Sequence, residues 1–303
     1  MDPSALATLR AVRAHGGVTA AAAVRHLTPS AVSQQLATLQ REVGVALTER
    51  AGRGVRLTPA GHALADAALD VAVALERARA ACDAFVASPG GTVTVSAFSS
   101  GAELLLPGLL GRVAALGGVT VECADEDVAQ DRFVALTDRF DLVVAHRPDG
   151  GVGWGADVVV EPLLREPLDV AVPSDHPLAA GGSVAPGDLV DLPWIAVREG
   201  FPVARVLDEL TVRTGVEPRV VHRINDFHVV EALVAAGHGV SLLPRFTTRA
   251  GPGSGLRLLP LRDVRAGRLV EVLLRPDRAR RVAVQRVLTE LRALAAGVAA
   301  STS

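Results

Sequence analysis

The sequence predicts an α/β protein with an all-α-type N-terminal domain, a long connecting helix and an α/β body in two lobes. Three observations carry this. Apolar residues recur at helical spacing up to about residue 87, whereas short β-branched runs alternate with helical stretches from Gly91 onward. The breaker cluster Ser88-Pro89-Gly90-Gly91 separates the two textures. At 303 residues the chain also exceeds the usual size of a single core.

The first helix starts at Asp2-Pro3 and runs to Gly16-Gly17, with Leu6, Leu9 and Val12 inward. Thr19 is expected to cap a second, alanine-rich helix ending near Arg25, and His26-Leu27 makes the turn. The third helix, 28–43, organises the domain. Thr28 is a good N-cap and Pro29 suits the first helical position. Val32, Leu36, Leu39 and Val43 form an apolar stripe, which leaves Ser30, Gln34, Thr38 and Arg41 on the opposite face and Ser33 on its flank. Small hydroxyls and an amide at a helix N-terminus suit phosphates and base edges in a major groove. After Gly44, glycines between short extended pieces predict a hairpin bearing Arg50, Arg53 and Arg56. Three helices and an arginine-tipped hairpin make a winged helix-turn-helix. Charge agrees: residues 1–61 hold seven arginines against three acids, while the whole chain is −2.

The stretch from Val18 to Gly61 resembles the N-terminal domain of LysR-type transcriptional regulators. The matching residues include Ala21-Ala22, Ala31-Val32-Ser33, Leu36, Leu39, Gly44, Arg50 and the closing Leu57-Thr58-Pro59-Ala60-Gly61, with Arg25, Gln40 and Thr48 as departures. The resemblance implies binding to double-stranded operator DNA, a linker helix that pairs in a homodimer or homotetramer, and a small-molecule effector.

Thr58-Pro59 opens a helix to about Ala87. Leu64, Ala68, Val71, Leu75, Ala78, Cys82 and Phe85 alternate along it at spacings of four and three, a heptad seam for a partner chain. The alternative is packing onto its own C-terminal body. Beyond it, strands are expected at 92–97, 119–123 and 142–145, with helices at 102–116 and 128–137 between them. This order implies a parallel sheet. The chain crosses to a second lobe near 157–162, builds strands at 168–172, 194–197, 219–224 and 240–243 with helices at 203–214 and 226–236, and returns near 261–268. A strand, 269–274, and a helix from 278 close it. The two-lobed plan resembles the type II periplasmic-binding fold of the LysR-type effector domain. The domains are therefore expected at 1–58 (DNA binding), 59–90 (linker and dimerisation) and 91–303 (effector body). Lobe I takes 91–161 and 267–303, and lobe II takes 162–266.

Ligands in such sheets bind beyond the strand C-terminal ends and at helix N-termini. That places Ser99, Ser100, His146 and Arg147 on one side and Arg198, Phe201, Asn225 and Phe227 on the other, favouring a polar or anionic small molecule. Asn225 is the chain's only asparagine.

Catalysis is poorly supported. All basic residues are arginine, which excludes Schiff-base lysines and P-loops. The eight histidines form no ligand pair, and the two cysteines, Cys82 and Cys123, lack metal-ligand spacing. No metal or cofactor is expected. Neither a signal peptide nor a membrane span is evident, so a cytoplasmic protein is expected. The competing readings are a small-molecule binding protein with a helical protein-interaction module, and an enzyme on the same fold.

Overall fold

A computed structural model of the chain describes residues 1–52, 54–83 and 90–301. Three helices open it: α1 (Pro3–His15), α2 (Val18–Arg25) and α3 (Pro29–Val43). Asp2 caps α1 and Thr28 caps α3, each followed by proline at the first helical position. Gly17, rather than Thr19, precedes α2, so Thr19 lies inside the helix without a capping role. The turn after α2 rests on His26 in the left-handed region (φ 53°). The stripe of α3 buries Val32, Leu36 and Leu39 against Leu6, Leu9 and Val12 of α1, each such side chain contributing about 1.5–3 kcal/mol.

The hairpin follows as β1 (Thr48–Ala51) and β2 (Gly54–Leu57), antiparallel, and then α4 (Pro59–Asp83). The turn into α4 is tightly tied. Thr58 Oγ1 donates to the Ala46 carbonyl at 2.7 Å and accepts the Gly61 N–H at 3.0 Å. A Cβ on Gly61 would lie 2.1 Å from the Leu47 carbonyl oxygen, so only glycine fits there.

The expected seam on α4 divides. Ala68 is buried in the small N-terminal core and Leu64 packs against it, so these two serve their own chain. The core therefore runs past residue 58 into α4, because one turn of helix cannot cover α1 alone. Val71 and Leu75 are 38% and 42% exposed, and Ala78 and Cys82 are exposed too. Phe85 lies outside the described residues. No helix among the described residues is long and apolar enough to cross a membrane.

The body contains β3 (Gly91–Ala97), α5 (Ser99–Leu116), β4 (Val119–Asp125), α6 (Phe133–Leu136), β5 (Leu142–Pro148) and β6 (Val159–Pro173). It continues with β7 (Pro193–Ala196), α7 (Ala204–Thr214), β8 (Arg219–Arg223), α8 (Phe227–Ala235), β9 (Ser241–Pro244), β10 (Leu256–Leu259), β11 (Gly267–Leu274) and α9 (Val282–Ser301). β3, β4 and β5 are parallel, as expected. β11 runs antiparallel to both β5 and β6.

Four sequence expectations need correction. Residues 128–137 form a short 3-10 turn and the single turn α6 rather than a helix, with only Phe133, Leu136 and Thr137 buried there. The crossing near 157–162 and the strand at 168–172 are one continuous strand, β6. Its first part pairs with β11 and its last with β9 and β10. β10 was unforeseen. The last helix begins at Val282, after a 3-10 turn at Arg278–Arg280.

β6 therefore joins two cores, and the chain returns beside it through Val264 and Ala266 into β11. One gathers Val93, Leu105, Phe133, Val144 and Leu288 in the first lobe, and the other gathers Val170, Trp194, Val206 and Val240 in the second. The N-terminal domain rests on the first lobe through charge. Arg10 lies 3.9 Å from Asp277, Arg13 3.6 Å from Asp157, and His15 Nε2 2.8 Å from the Asp138 carboxylate.

Candidate functional site

Two surfaces carry the residues singled out by the sequence. At the N-terminal end, α3 presents Thr28, Pro29, Ser30, Ser33, Gln34 and Arg41 to solvent, with Thr38 half-buried. Thr28 Oγ1 accepts the Ala31 N–H at 3.2 Å and meets Ser30 Oγ at 2.9 Å. Ser33 Oγ donates to the Pro29 carbonyl at 2.9 Å, and Arg41 donates to Thr38 Oγ1 at 3.0 Å. Gln34 has no such tie. The face is polar, uncharged except for Arg41, and backed by a rigid apolar stripe, which suits base-edge and phosphate contact. On the hairpin Arg50 and Arg56 are exposed, and Arg56 Nε donates to Glu49 directly across the strands at 2.7 Å. Such an exposed pair contributes little stability, and the arginine remains available to a phosphate. Arg53 lies outside the described residues.

The second surface is a cleft between the lobes with a cavity of about 550 Å³. α5 opens it. Phe98 at the N-cap position supplies no side-chain cap, so the N–H groups of Ser99, Ser100 and Gly101 are left open at the helix start where Ser99 and Ser100 line the cleft, and the first backbone bond runs from the Ala102 N–H to the Phe98 carbonyl. A Cβ on Gly101 would lie 2.6 Å from the Phe98 ring, so glycine allows that ring to tuck under the helix start.

The floor is Arg268, from the beginning of β11. It and Glu166 of β6 are each 1% exposed. Arg268 Nη2 is 2.6 Å and Nε 2.8 Å from Glu166 Oε2, and Nη2 donates to Ser100 Oγ at 2.7 Å. The guanidinium stacks 4.6 Å from Phe98 of the first lobe and 5.9 Å from Phe227 of the second. Burial and the neighbouring Arg268 hold the His146 imidazole well below its ordinary pKa, so it is neutral. His146 stacks on Phe98 at 4.2 Å, and its buried Nδ1 has no partner.

Across the cleft, Asn225 Oδ1 accepts the Arg198 N–H at 2.8 Å and so fixes the loop after β7. Asp226 caps α8 through the His228 and Val229 N–H groups. The lobes touch at the mouth, where His228 Nε2 lies 3.3 Å from Glu103 and the Gln130 N–H donates to the Gly200 carbonyl at 3.4 Å.

Ser99, Ser100, Phe201, Asn225 and Phe227 thus converge on one cavity. Arg147 does not. Its guanidinium binds Glu271 at 2.9 and 3.0 Å and the Gly151 carbonyl at 3.1 Å, because strand alternation sends His146 toward the cleft and Arg147 away. Arg268 and Glu166 were missed by sequence reasoning. No local motif marks them, and Arg268 joins Ser100 across 168 positions. Among the described residues no cluster of potential metal ligands occurs.

Comparison with known proteins yields two family matches. Residues 3–62 match the bacterial regulatory helix-turn-helix protein, lysR family, and residues 87–296 match the LysR substrate binding domain. The RuBisCO operon transcriptional regulator of Acidithiobacillus ferrooxidans is 30% identical over 258 residues, 84% of this chain and 81% of that protein. The transcriptional dual regulator GltC of Bacillus subtilis strain 168 is 27% identical over 227 residues, 72% of each. A full-length OxyR variant from Pseudomonas aeruginosa shares the fold, with a TM-score of 0.65 at 24% identity over 96% of this chain and 98% of that one.

Proposed function

The chain belongs to the LysR family of transcriptional regulators, which bind DNA and answer small-molecule effectors, and from that premise we propose which residues perform each part. Its matched relatives are regulators rather than enzymes. Such a protein works beside the chromosome, in the bacterial cytoplasm.

Residues 1–58 form the DNA-binding unit, 59–90 the linker and dimerisation segment, and 91–303 the effector body. Lobe I is 91–161 with 267–303, and lobe II is 162–266. Gln34, Ser30 and Ser33 read base edges from the major groove, while Thr28, Pro29, Thr38 and Arg41 set the helix against the backbone. Arg50, Arg53 and Arg56 hold phosphates. Val71, Leu75, Ala78, Cys82 and Phe85 form the apolar seam with a second copy. The effector presents an anionic group to the open start of α5 and the Arg268 guanidinium, with Ser99, Phe201, Asn225 and Phe227 around it.

One observation carries the sensory half of this reading: an uncapped helix N-terminus and a buried arginine face a cavity whose walls come from both lobes. A ligand there touches both lobes only in one arrangement of them, which is the condition for coupling of about 1–3 kcal/mol to a distant site. The test is selection of bound DNA fragments by the purified full-length protein and its variants. Gln34→Ala should change the preferred fragments and Asn225→Ala should leave them unchanged. The opposite result would remove α3 from the reading role.

A further inference from the structure

The charge of the cleft is not that of a simple anion site. Glu103, Asp127, Asp226 and Glu231 line it against Arg198 and Arg268, and Arg268 is already neutralised from behind by Glu166. Two of the acids are partly occupied at the mouth. Glu103 lies 3.3 Å from His228 and 3.7 Å from Arg249, and Glu231 lies 3.9 Å from His228. Asp226 is engaged in capping α8. Asp127 has no ion pair of this kind; the amide of Asn225 approaches it without a hydrogen bond of full geometry, and Arg268 and Arg198 act on it from a distance. Burial pushes the Asp127 carboxyl above its ordinary pKa, as expected for a carboxylate short of a counter-charge.

Asp127 also stands close to the anion-binding end. The Glu126 N–H donates to the Ala97 carbonyl at 2.9 Å, which pins this turn beside the start of α5. The unfilled donors of α5 and an under-compensated carboxylate are therefore neighbours on one lobe. On the other side of the α5 start from Asp127, at the end of β5, the buried His146 lines the wall with Nδ1 unpartnered, a polar atom that no protein group serves. Beyond them the wall is apolar, with Phe98, Phe201, Phe227, Val197 and Val203.

We propose that the effector is a zwitterion of the α-amino-acid type, its carboxylate on the α5 N-terminus and Arg268, its ammonium on Asp127, and an apolar side chain among the phenylalanines. This rests on the cleft reading above and narrows it. A bare carboxylate would satisfy the helix and arginine but add charge beside Asp127. A bare amine would satisfy Asp127 and leave the helix donors open. Both halves are met only when one molecule carries both groups, and the adjacency of the Asp127 turn to the start of α5 favours groups held close together.

The experiment is calorimetric titration of the full-length protein with L-leucine, L-methionine and L-phenylalanine, each beside its deaminated acid and its decarboxylated amine. At least one amino acid should bind, with its acid and amine at least tenfold weaker. Asp127→Asn, checked for folding by thermal melt, should weaken that amino acid at least tenfold while leaving the acid unchanged or tighter. Ser99→Phe, which fills the helix mouth from an exposed position, should abolish all binding. A deaminated acid that binds wild type as tightly as its amino acid, and is still blocked by Ser99→Phe, would overturn the zwitterion and leave the cleft as an anion site. Binding unaffected by Ser99→Phe would overturn the cleft reading itself. No binding by any of the amino acids up to millimolar concentration would overturn this ligand class.

Discussion

Glu166→Ala should be among the most damaging single substitutions in the body, although Glu166 lies in no motif. Glu166 and Arg268 are each 1% exposed, and one carboxylate oxygen, Oε2, takes both guanidinium contacts at 2.6 and 2.8 Å. Removing the carboxylate leaves a buried guanidinium with only Ser100 Oγ and two aromatic faces. Breaking a buried pair from one side costs about 3–5 kcal/mol. For a unit of this size that lowers Tm on the order of 10 °C. Glu166→Gln should cost less, because an amide oxygen at the Oε2 position keeps both hydrogen bonds and forfeits only the charge. Replacing both partners, Glu166→Leu with Arg268→Met, should return stability close to wild type, since no uncompensated charge remains. Urea unfolding followed by the fluorescence of Trp154 and Trp194, which lie in different lobes, measures all three. Glu166→Ala within 1 kcal/mol of wild type would refute the reasoning and mean that water reaches Arg268.

Arg50→Ala should flatten the dependence of DNA affinity on salt by about one unit of slope, read by titration at several salt concentrations; an unchanged slope would take Arg50 off the phosphates. Leu75→Glu should yield a folded monomer, because Leu75 is 42% exposed in the single chain, where the charge costs little, yet sits on the proposed apolar seam; light scattering that still shows an oligomer would remove α4 from the interface. Burial alone pushes the Asp277 carboxyl up, but Arg275 and Arg10 outweigh it and hold it below its ordinary pKa. Its stabilisation is then complete above the usual carboxylate range and lost as pH falls through the depressed value, so the gap between wild type and Asp277→Asn should close on acidification; a gap that widens would reverse the sign.

The legible parts of this chain were those written in local chemistry. Thr28-Pro29 announces a helix start by itself, and the stripe from Val32 to Val43 tells which side of that helix is dry. Ser99 and Ser100 were found because a strand ending in a helix start is a local pattern. Arg147 was misplaced by one position of strand parity, which periodicity on a fully buried strand does not reveal: all of Leu142–Ala145 is buried on both faces. The helix expected at 128–137 gave way to contact across the cleft, where the Gln130 N–H meets the Gly200 carbonyl. β6 was hidden by its prolines. Pro162 sits opposite Glu271 where the register shifts, and Pro167 stands where the strand passes from one lobe to the other, the irregular positions at which a sheet tolerates proline. Arg268 required the whole fold.

The uninterrupted course of β6 has a mechanical consequence. Lobes tied by loops would swing about a loose joint, whereas lobes sharing β6, paired at the crossing with the chain entering β11, turn by twisting a hydrogen-bonded ribbon. Such a ribbon behaves as a torsion bar: it resists rotation in proportion to the angle and returns to one rest position when released. Under the proposed sensing role, a ligand drawing the lobes together works against that restoring torque, so the rotation is set by its contacts against the stiffness of the strands and reverses on release.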